Sequence, residues 1–124
     1  MDHDPRFLEG VELFNRRDFY KAHDPWESLW LERFGEEKDF IQGLILTTVA
    51  LHHYSRGNLR GARSRYRLSV DKLEKYPDAY WGVNLKNFRR RMSGAMHRLL
   101  TETDPPPLDV DRVPRLKIDP QQPS

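Results

Sequence analysis

Seven side chains in the first half of the chain could bind a ligand or take part in proton transfer. They are His23, Asp24, Glu27, Trp30, Gln42, His52 and His53. On a helix, His23, Glu27 and Trp30 share one face, because they are four and seven residues apart. Asp24 is at the edge of that face, and the other three fall on the next predicted helix. If these two helices are antiparallel, two imidazoles and two carboxylates meet inside the bundle.

Such a set of groups allows three interpretations. Imidazoles and carboxylates together can bind zinc, iron or manganese, or a carboxylate can tune a histidine for general acid–base chemistry. The third interpretation, which we favour, is a hydrogen-bond network that fixes the packing of the core. The chain has neither a His-Glu-x-x-His pattern nor the repeated Glu-x-x-His of di-iron bundles. A catalytic role therefore has the least support.

Length and composition predict a single small globular domain. The chain has 124 residues, of which 37% are apolar and 32% charged. It has no cysteine, which excludes disulfides, thiolate metal sites and a thiol nucleophile. No signal-peptide pattern opens the chain, and no apolar stretch reaches the roughly 18 residues of a membrane span. We therefore expect a cytoplasmic protein without a membrane partner.

Hydrophobic periodicity predicts five helices, at about residues 5–15, 18–34, 36–55, 59–75 and 83–100. The fold class is therefore all-α, a single-domain bundle of about five helices in antiparallel hairpins. The bundle domain covers residues 1–101, and residues 102–124 form an extended proline-rich arm. Six of the nine prolines lie after residue 104. The arm is expected either to lie along the body or a neighbouring subunit, or to be free.

Local signals refine these elements. Pro25 is expected to kink the second helix or to restart it. The segment from Asp18 to Ala22 aligns with Asn58 to Ala62 forty residues later, which we interpret as two stacked hairpins. The inward faces of the last two helices are predicted to be Ala62, Tyr66, Val70 and Leu73, then Leu85, Phe88, Met92, Met96 and Leu99. Trp81, in a loop, is expected to pack over a helix end, with an exposed ligand contact as the alternative.

Charge is distributed unevenly along the chain. Residues 1–55 carry 11 acidic and 6 basic side chains, a net charge of −5, and residues 56–98 carry 12 basic and 3 acidic ones, a net charge of +9. These halves attract each other within one chain or in a homo-oligomer, for which the C-terminal arm is a second possible contact. The basic half, with Arg60, Arg63 and Arg67 on one face, also allows nucleic-acid binding. No nucleic-acid motif accompanies it, so a solvated face is favoured.

At these residues the chain resembles a known family, the one catalogued as domain of unknown function 309. The resemblance is carried by Phe14-Asn15, Asp18-Phe19-Tyr20, Ala22-His23, Trp26-Glu27, Trp30, residues 40–45, residues 50–53 and residues 56–62. It covers about residues 7–76 and weakens towards residue 100. The family pattern has glutamate after the first histidine, where this chain has the shorter Asp24. The resemblance implies a small all-α bundle of bacterial and archaeal type, without an established activity.

The leading functional hypothesis is a non-enzymatic ligand-binding, partner-binding or scaffold module. Its polar pocket would lie between the second and third helices, around the seven candidates. A metal-dependent enzyme of hydrolase type, using the same pocket, is the alternative, and nucleic-acid binding by the basic half is the third hypothesis. The sequence identifies no cofactor.

Overall fold

The computed structural model describes residues 3–119, which form five helices and one very short hairpin of strands. The elements are α1 (Pro5–Asn15), α2 (Phe19–Glu32), α3 (Gly35–Ser55), α4 (Leu59–Leu73), β1 (Ala79–Tyr80), β2 (Val83–Asn84) and α5 (Leu85–Thr101). The all-α class is confirmed, and each helix begins and ends within two residues of its predicted bounds. Within residues 3–119, no helix is both long enough and apolar enough to cross a bilayer.

The turn between α1 and α2 has the same hydrogen bonds as the turn between α3 and α4. The amide of Asp18 donates to the carbonyl of Leu13 at 3.0 Å, and the amide of Asn58 donates to the carbonyl of His53 at 2.8 Å. Both are the six-to-one bond of a Schellman motif, which satisfies a free carbonyl at the end of a helix. Each donor then serves as the N-cap of the following helix.

The forty-residue echo in the sequence therefore corresponds to two equivalent helical hairpins. The residue before each N-cap has a left-handed backbone, with φ of 68° at Arg17 and 79° at Gly57. Four residues after each N-cap stands a fully buried alanine, Ala22 or Ala62. A small side chain at this point allows the first turn of α2 or α4 to pack closely against its partner helix.

The core forms where α3 packs between α2 and α4. Phe40, Ile41, Leu44 and Leu51 are 0–1% exposed, as expected for a helix that is apolar on nearly all sides. Trp26 of α2 is fully buried, and its Nε1 donates to the carbonyl of a residue in α1 at 3.0 Å. This bond satisfies the one polar group of a large side chain that otherwise contributes apolar surface.

Two details of the helices differ from the sequence prediction. The helix α2 continues through Pro25, so the expected restart is wrong, while the kink stays a prediction; the missing amide leaves only the carbonyl of the exposed Lys21 without its helical donor. Val70 was expected to face inward, yet it is 37% exposed. Ser69 is buried in its place, which is possible because its hydroxyl donates to the carbonyl of Tyr66 at 2.8 Å.

The segment between α4 and α5 forms a hairpin that periodicity could not predict. Its two strands have two residues each, joined by Trp81 and Gly82, which have φ of 50° and 77°. Positive φ at both central residues is typical of a type I′ turn. Trp81 is only 4% exposed and meets the ring of Phe7 edge-on at 5.2 Å. It therefore packs on the core and makes no exposed contact.

Residues 102–119 have little regular structure and contact the helical body at several points. They contain one 3-10 turn, Val110–Arg112, and Ile118 forms an isolated bridge with Val83. The side chain of Asn15 makes two hydrogen bonds to the backbone of Leu116, at 2.8 and 2.7 Å. Residues 120–124 of the predicted arm lie outside the described residues. The division into a bundle domain and an arm stays a prediction.

Candidate functional site

Two of the candidate imidazoles meet at an exposed aromatic ring. The ring of Tyr20 in α2 lies 5.0 Å from that of His23 and 4.7 Å from that of His52 in α3, measured between ring centroids. Tyr20 is 57% exposed. The sequence analysis overlooked this tyrosine as a candidate, although its position three residues before His23 puts both on one helical face. We call Tyr20, His23, Asp24, Glu27 and His52 the α2–α3 face.

The carboxylates of this face lie at the surface. The Nε2 atom of His23 is 3.5 Å from the nearest carboxylate oxygens of Asp24 and Glu27. Its Nδ1 lies within hydrogen-bond distance of the carbonyl of Tyr20, and must donate because a carbonyl can only accept. The side chains of Asp24 and Glu27 are 71% and 54% exposed. The expectation that these groups lie inside the bundle is therefore wrong, because water solvates the two acids directly.

The two histidines of α3 have different surroundings. Burial lowers the pKa of His52 below its ordinary value, and repulsion from His53, Arg56 and His23 lowers it further. His52 is therefore a neutral imidazole at pH 7. The Nδ1 atom of His53 is 3.3 Å from the side-chain amide of Asn58, the N-cap of α4. This histidine thus supports the turn into α4.

The lowered pKa of His52 predicts a pH dependence of stability. The unfolded chain takes up a proton at His52 near pH 6.5, whereas the folded chain does so only at lower pH. The folded state therefore loses stability as the pH falls below 6.5 and towards the folded-state pKa. We expect His52→Gln to lose less stability than the parent between pH 7.5 and 5, measured by urea unfolding. Equal losses in the two proteins would contradict this.

Trp30 and Gln42 lie further along the same two helices. Trp30 is two helical turns, about 10 Å, beyond His23, and its ring carries the ammonium group of Lys38 at 4.2 Å from the centroid. Gln42 precedes His52 by nearly three turns, about 15 Å along α3. The structure thus brings four of the seven candidates to the α2–α3 face and places His53 beside it. Trp30 and Gln42 lie further along the two helices.

A metal site also needs several ligand atoms that converge on one point. Among residues 3–119, no group of three or more His, Asp or Glu side chains is arranged to hold a metal ion. At the α2–α3 face, the Nδ1 atom of His23 is already engaged by a carbonyl. His23 and His52 each contact the ring of Tyr20.

Several arginines of the basic half stabilise helix ends. Arg63 donates to the carbonyls of Leu99 and Glu102 at 2.8 and 3.0 Å, at the end of α5. Arg89 donates to the carbonyl of Leu73 at 2.8 Å, at the end of α4. Such bonds satisfy the free carbonyls of a helix C-terminus. Part of the positive charge in residues 56–98 is therefore structural.

The fold and the α2–α3 face define a small all-α protein of two equivalent helical hairpins and a fifth helix, with an imidazole and carboxylate cluster at its surface. Residues 7–64 match the model of a family described as "Domain of unknown function (DUF309)", which confirms the resemblance over this stretch. It includes both hairpin turns and all seven candidates.

A relative in Aquifex aeolicus (strain VF5) is described as an uncharacterized protein. It is 32% identical over 82 residues, which cover 65% of this chain and 25% of the relative. The chain thus spans about a quarter of the length of the relative that it matches. Neither description assigns an activity to the protein it names.

Proposed function

We propose that this chain is a non-enzymatic binding module and that the α2–α3 face contacts a protein partner. One observation carries the proposal. The largely exposed ring of Tyr20 contacts imidazoles of two different helices, His23 and His52, and two exposed carboxylates lie beside His23. Exposed aromatic side chains with polar neighbours are typical of contact surfaces between proteins.

The chemistry of this face suits a basic side chain of the partner. Asp24 and Glu27 offer two carboxylates about one helical turn apart, and Tyr20 offers an aromatic face to a cation. His52 is neutral at pH 7, so it does not repel a positive group. The surrounding half of the chain, residues 1–55, has a net charge of −5, which attracts a basic partner.

The difference in length between this chain and its relative supports the interpretation of the chain as a binding module. A domain that matches a quarter of a longer chain can act there as one part among others. The metal-dependent hydrolase has less support, since the described residues contain no three-ligand group. The cytoplasmic location stays a prediction.

Titration with arginine amide, followed by NMR of the 15N-labelled full chain, tests the proposal. We expect chemical-shift changes concentrated at Tyr20, His23 and Glu27. Tyr20→Ala and Glu27→Gln should each weaken binding by about threefold to tenfold, because each removes one exposed cation contact. As a control, Glu74→Gln removes an exposed carboxylate at the far end of α4 and should leave the affinity unchanged.

Two results would overturn the proposal. One is the absence of shifts at the α2–α3 face at about 10 mM probe, well above the millimolar constants expected of such contacts. The other is an equal loss of affinity in Glu74→Gln, because binding would then follow net charge and not this face.

A further inference from the structure

A cavity of about 400 Å³ lies between α5, the turn from α1 to α2, and the C-terminal segment. One face of α5 lines it, with Asn84, Asn87, Phe88 and Arg91 at helical spacing. Asn84 is the N-cap of α5, so the positive end of the helix dipole lies at the cavity. Amide, aromatic and guanidinium groups thus line one wall.

Positive charge dominates the rest of the lining. Arg17, Arg91, Arg115 and Lys117 all border the cavity, together with one acid, Asp111. Within residues 3–119, no carboxylate forms an ion pair with any of the four cations. Desolvation lowers the pKa of Arg17 and repulsion from Arg115 and Arg91 adds to this, while attraction to Asp111 offsets part of it. The cations therefore repel one another across the cavity, and an anion placed between them would relieve that repulsion.

The backbone of Arg17 brings its side chain to the cavity. It has the left-handed φ of the Schellman turn, 68°, whereas the equivalent turn has Gly57 with φ of 79°. This conformation costs a non-glycine residue roughly 1 kcal/mol. The guanidinium of Arg17 lines the cavity and donates to the carbonyl of Val113 at 2.7 Å. The same group also donates to the carbonyl of Pro114 at 3.5 Å.

We propose that this cavity binds the phosphate group of a small phosphorylated molecule. Arg91, Arg115 and Lys117 hold the phosphate, and Arg17 forms the floor of the site. Guanidinium groups bind phosphate through paired hydrogen bonds, and lysine adds a point charge. A volume of about 400 Å³ exceeds what free phosphate needs and is within the usual range for small-molecule sites.

The lining of the cavity also indicates what the rest of the ligand is. Phe88, Val83 and Leu116 line the cavity but are only 2–3% exposed, so its reactive wall beside the cations is the pair of amides of Asn84 and Asn87. These amides can bond to the sugar hydroxyls of a phosphate ester while the cations bind its phosphate, and inorganic phosphate is too small to reach both. A nucleic-acid strand would need cations spread along a groove, whereas these four surround one cavity. The site is separate from the α2–α3 face and does not depend on its role.

The test is calorimetric titration of the full chain with inorganic phosphate and with adenosine monophosphate. We expect the ester to bind about tenfold more tightly than phosphate, since its sugar adds hydrogen bonds to the amides of Asn84 and Asn87. Arg91→Ala and Lys117→Ala should each weaken binding of the ester about tenfold, because each removes a charged hydrogen-bond donor. Arg60→Ala, an exposed arginine on α4 that does not line the cavity, is the matched control and should leave the affinity unchanged. Circular dichroism verifies that each variant is folded.

Three outcomes would overturn the proposal. The first is no heat of binding from either probe up to about 10 mM. The second is equal affinity for phosphate and the ester, which would make free phosphate the ligand. The third is a loss in Arg60→Ala as large as in Arg91→Ala, with a single-stranded oligonucleotide bound more tightly than the ester. Binding would then follow the basic surface as a whole.

Discussion

Replacing Gly10 with alanine is expected to lower the free energy of unfolding by about 3 kcal/mol. A Cβ atom on Gly10 would lie 2.1 Å from Nε1 and 2.4 Å from Cδ1 of Trp26, far inside van der Waals contact. Trp26 is fully buried, and its Nε1 donates to the carbonyl of Phe7. The indole cannot move aside without losing this hydrogen bond and its packing, so α1 and α2 must separate instead.

Urea unfolding of Gly10→Ala and of a control variant measures the change in the free energy of unfolding. Gly94 of α5 is the matched control, because the nearest atom to its added Cβ, outside its own helix, is a flexible arginine nitrogen at 3.8 Å. Gly94→Ala should therefore stabilise the protein by about 0.5–1 kcal/mol through the better helix propensity of alanine. Similar effects of the two substitutions would contradict the close approach of α1 to Trp26.

Asn15→Ala is expected to release the C-terminal segment from the helical body. The side chain of Asn15 donates to the carbonyl of Leu116 at 2.8 Å and accepts from its amide at 2.7 Å. Leu116 itself is only 2% exposed, so the substitution leaves two backbone groups without partners in a poorly solvated place. We expect a loss of about 2 kcal/mol in the free energy that holds this segment.

Hydrogen exchange measures this release directly. The amide of Leu116 should exchange more than tenfold faster in Asn15→Ala, because a loss of about 2 kcal/mol corresponds to a factor of nearly thirty. Glu12→Ala, an exposed substitution one turn earlier in α1, should leave this rate unchanged. Unchanged exchange in Asn15→Ala would show that other contacts hold the segment.

Phosphate binding by Asn15→Ala should weaken as well, because Arg115 and Lys117 flank Leu116 in the cavity wall.

The elements that the sequence predicted well are those that depend on local chemistry. The apolar stripe of α5, from Leu85 to Leu99, follows from its spacing alone, and all five of its predicted residues are buried. The turn at Gly57 and Asn58 follows from the preference of glycine for a left-handed backbone and of asparagine for the N-cap. Strands of two residues are too short to show a period, so the hairpin around Trp81 could not be predicted.

The solvent exposure of the candidate site could not be predicted from helical spacing. Helical spacing alone places His23 and Glu27 on one face, and antiparallel packing places His52 on the same side of the molecule. Spacing does not say how far that face lies from solvent, and the two acids prove to be largely exposed. Exposure depends on which other helices cover a given face of α2, and spacing along α2 does not encode that.

The amino-acid sequence by itself determined the five helices, their turns and the repeated hairpin, because each follows from periodicity and capping within a few neighbouring residues. Only the tertiary structure decided that His52 contacts Tyr20 and that Arg17, Arg91 and Arg115 border one cavity. His52 is far from Tyr20 along the chain, and Arg91 and Arg115 are far from Arg17. Their distances are set by how α2, α3, α5 and the C-terminal segment pack together, and no local pattern of residues encodes that packing.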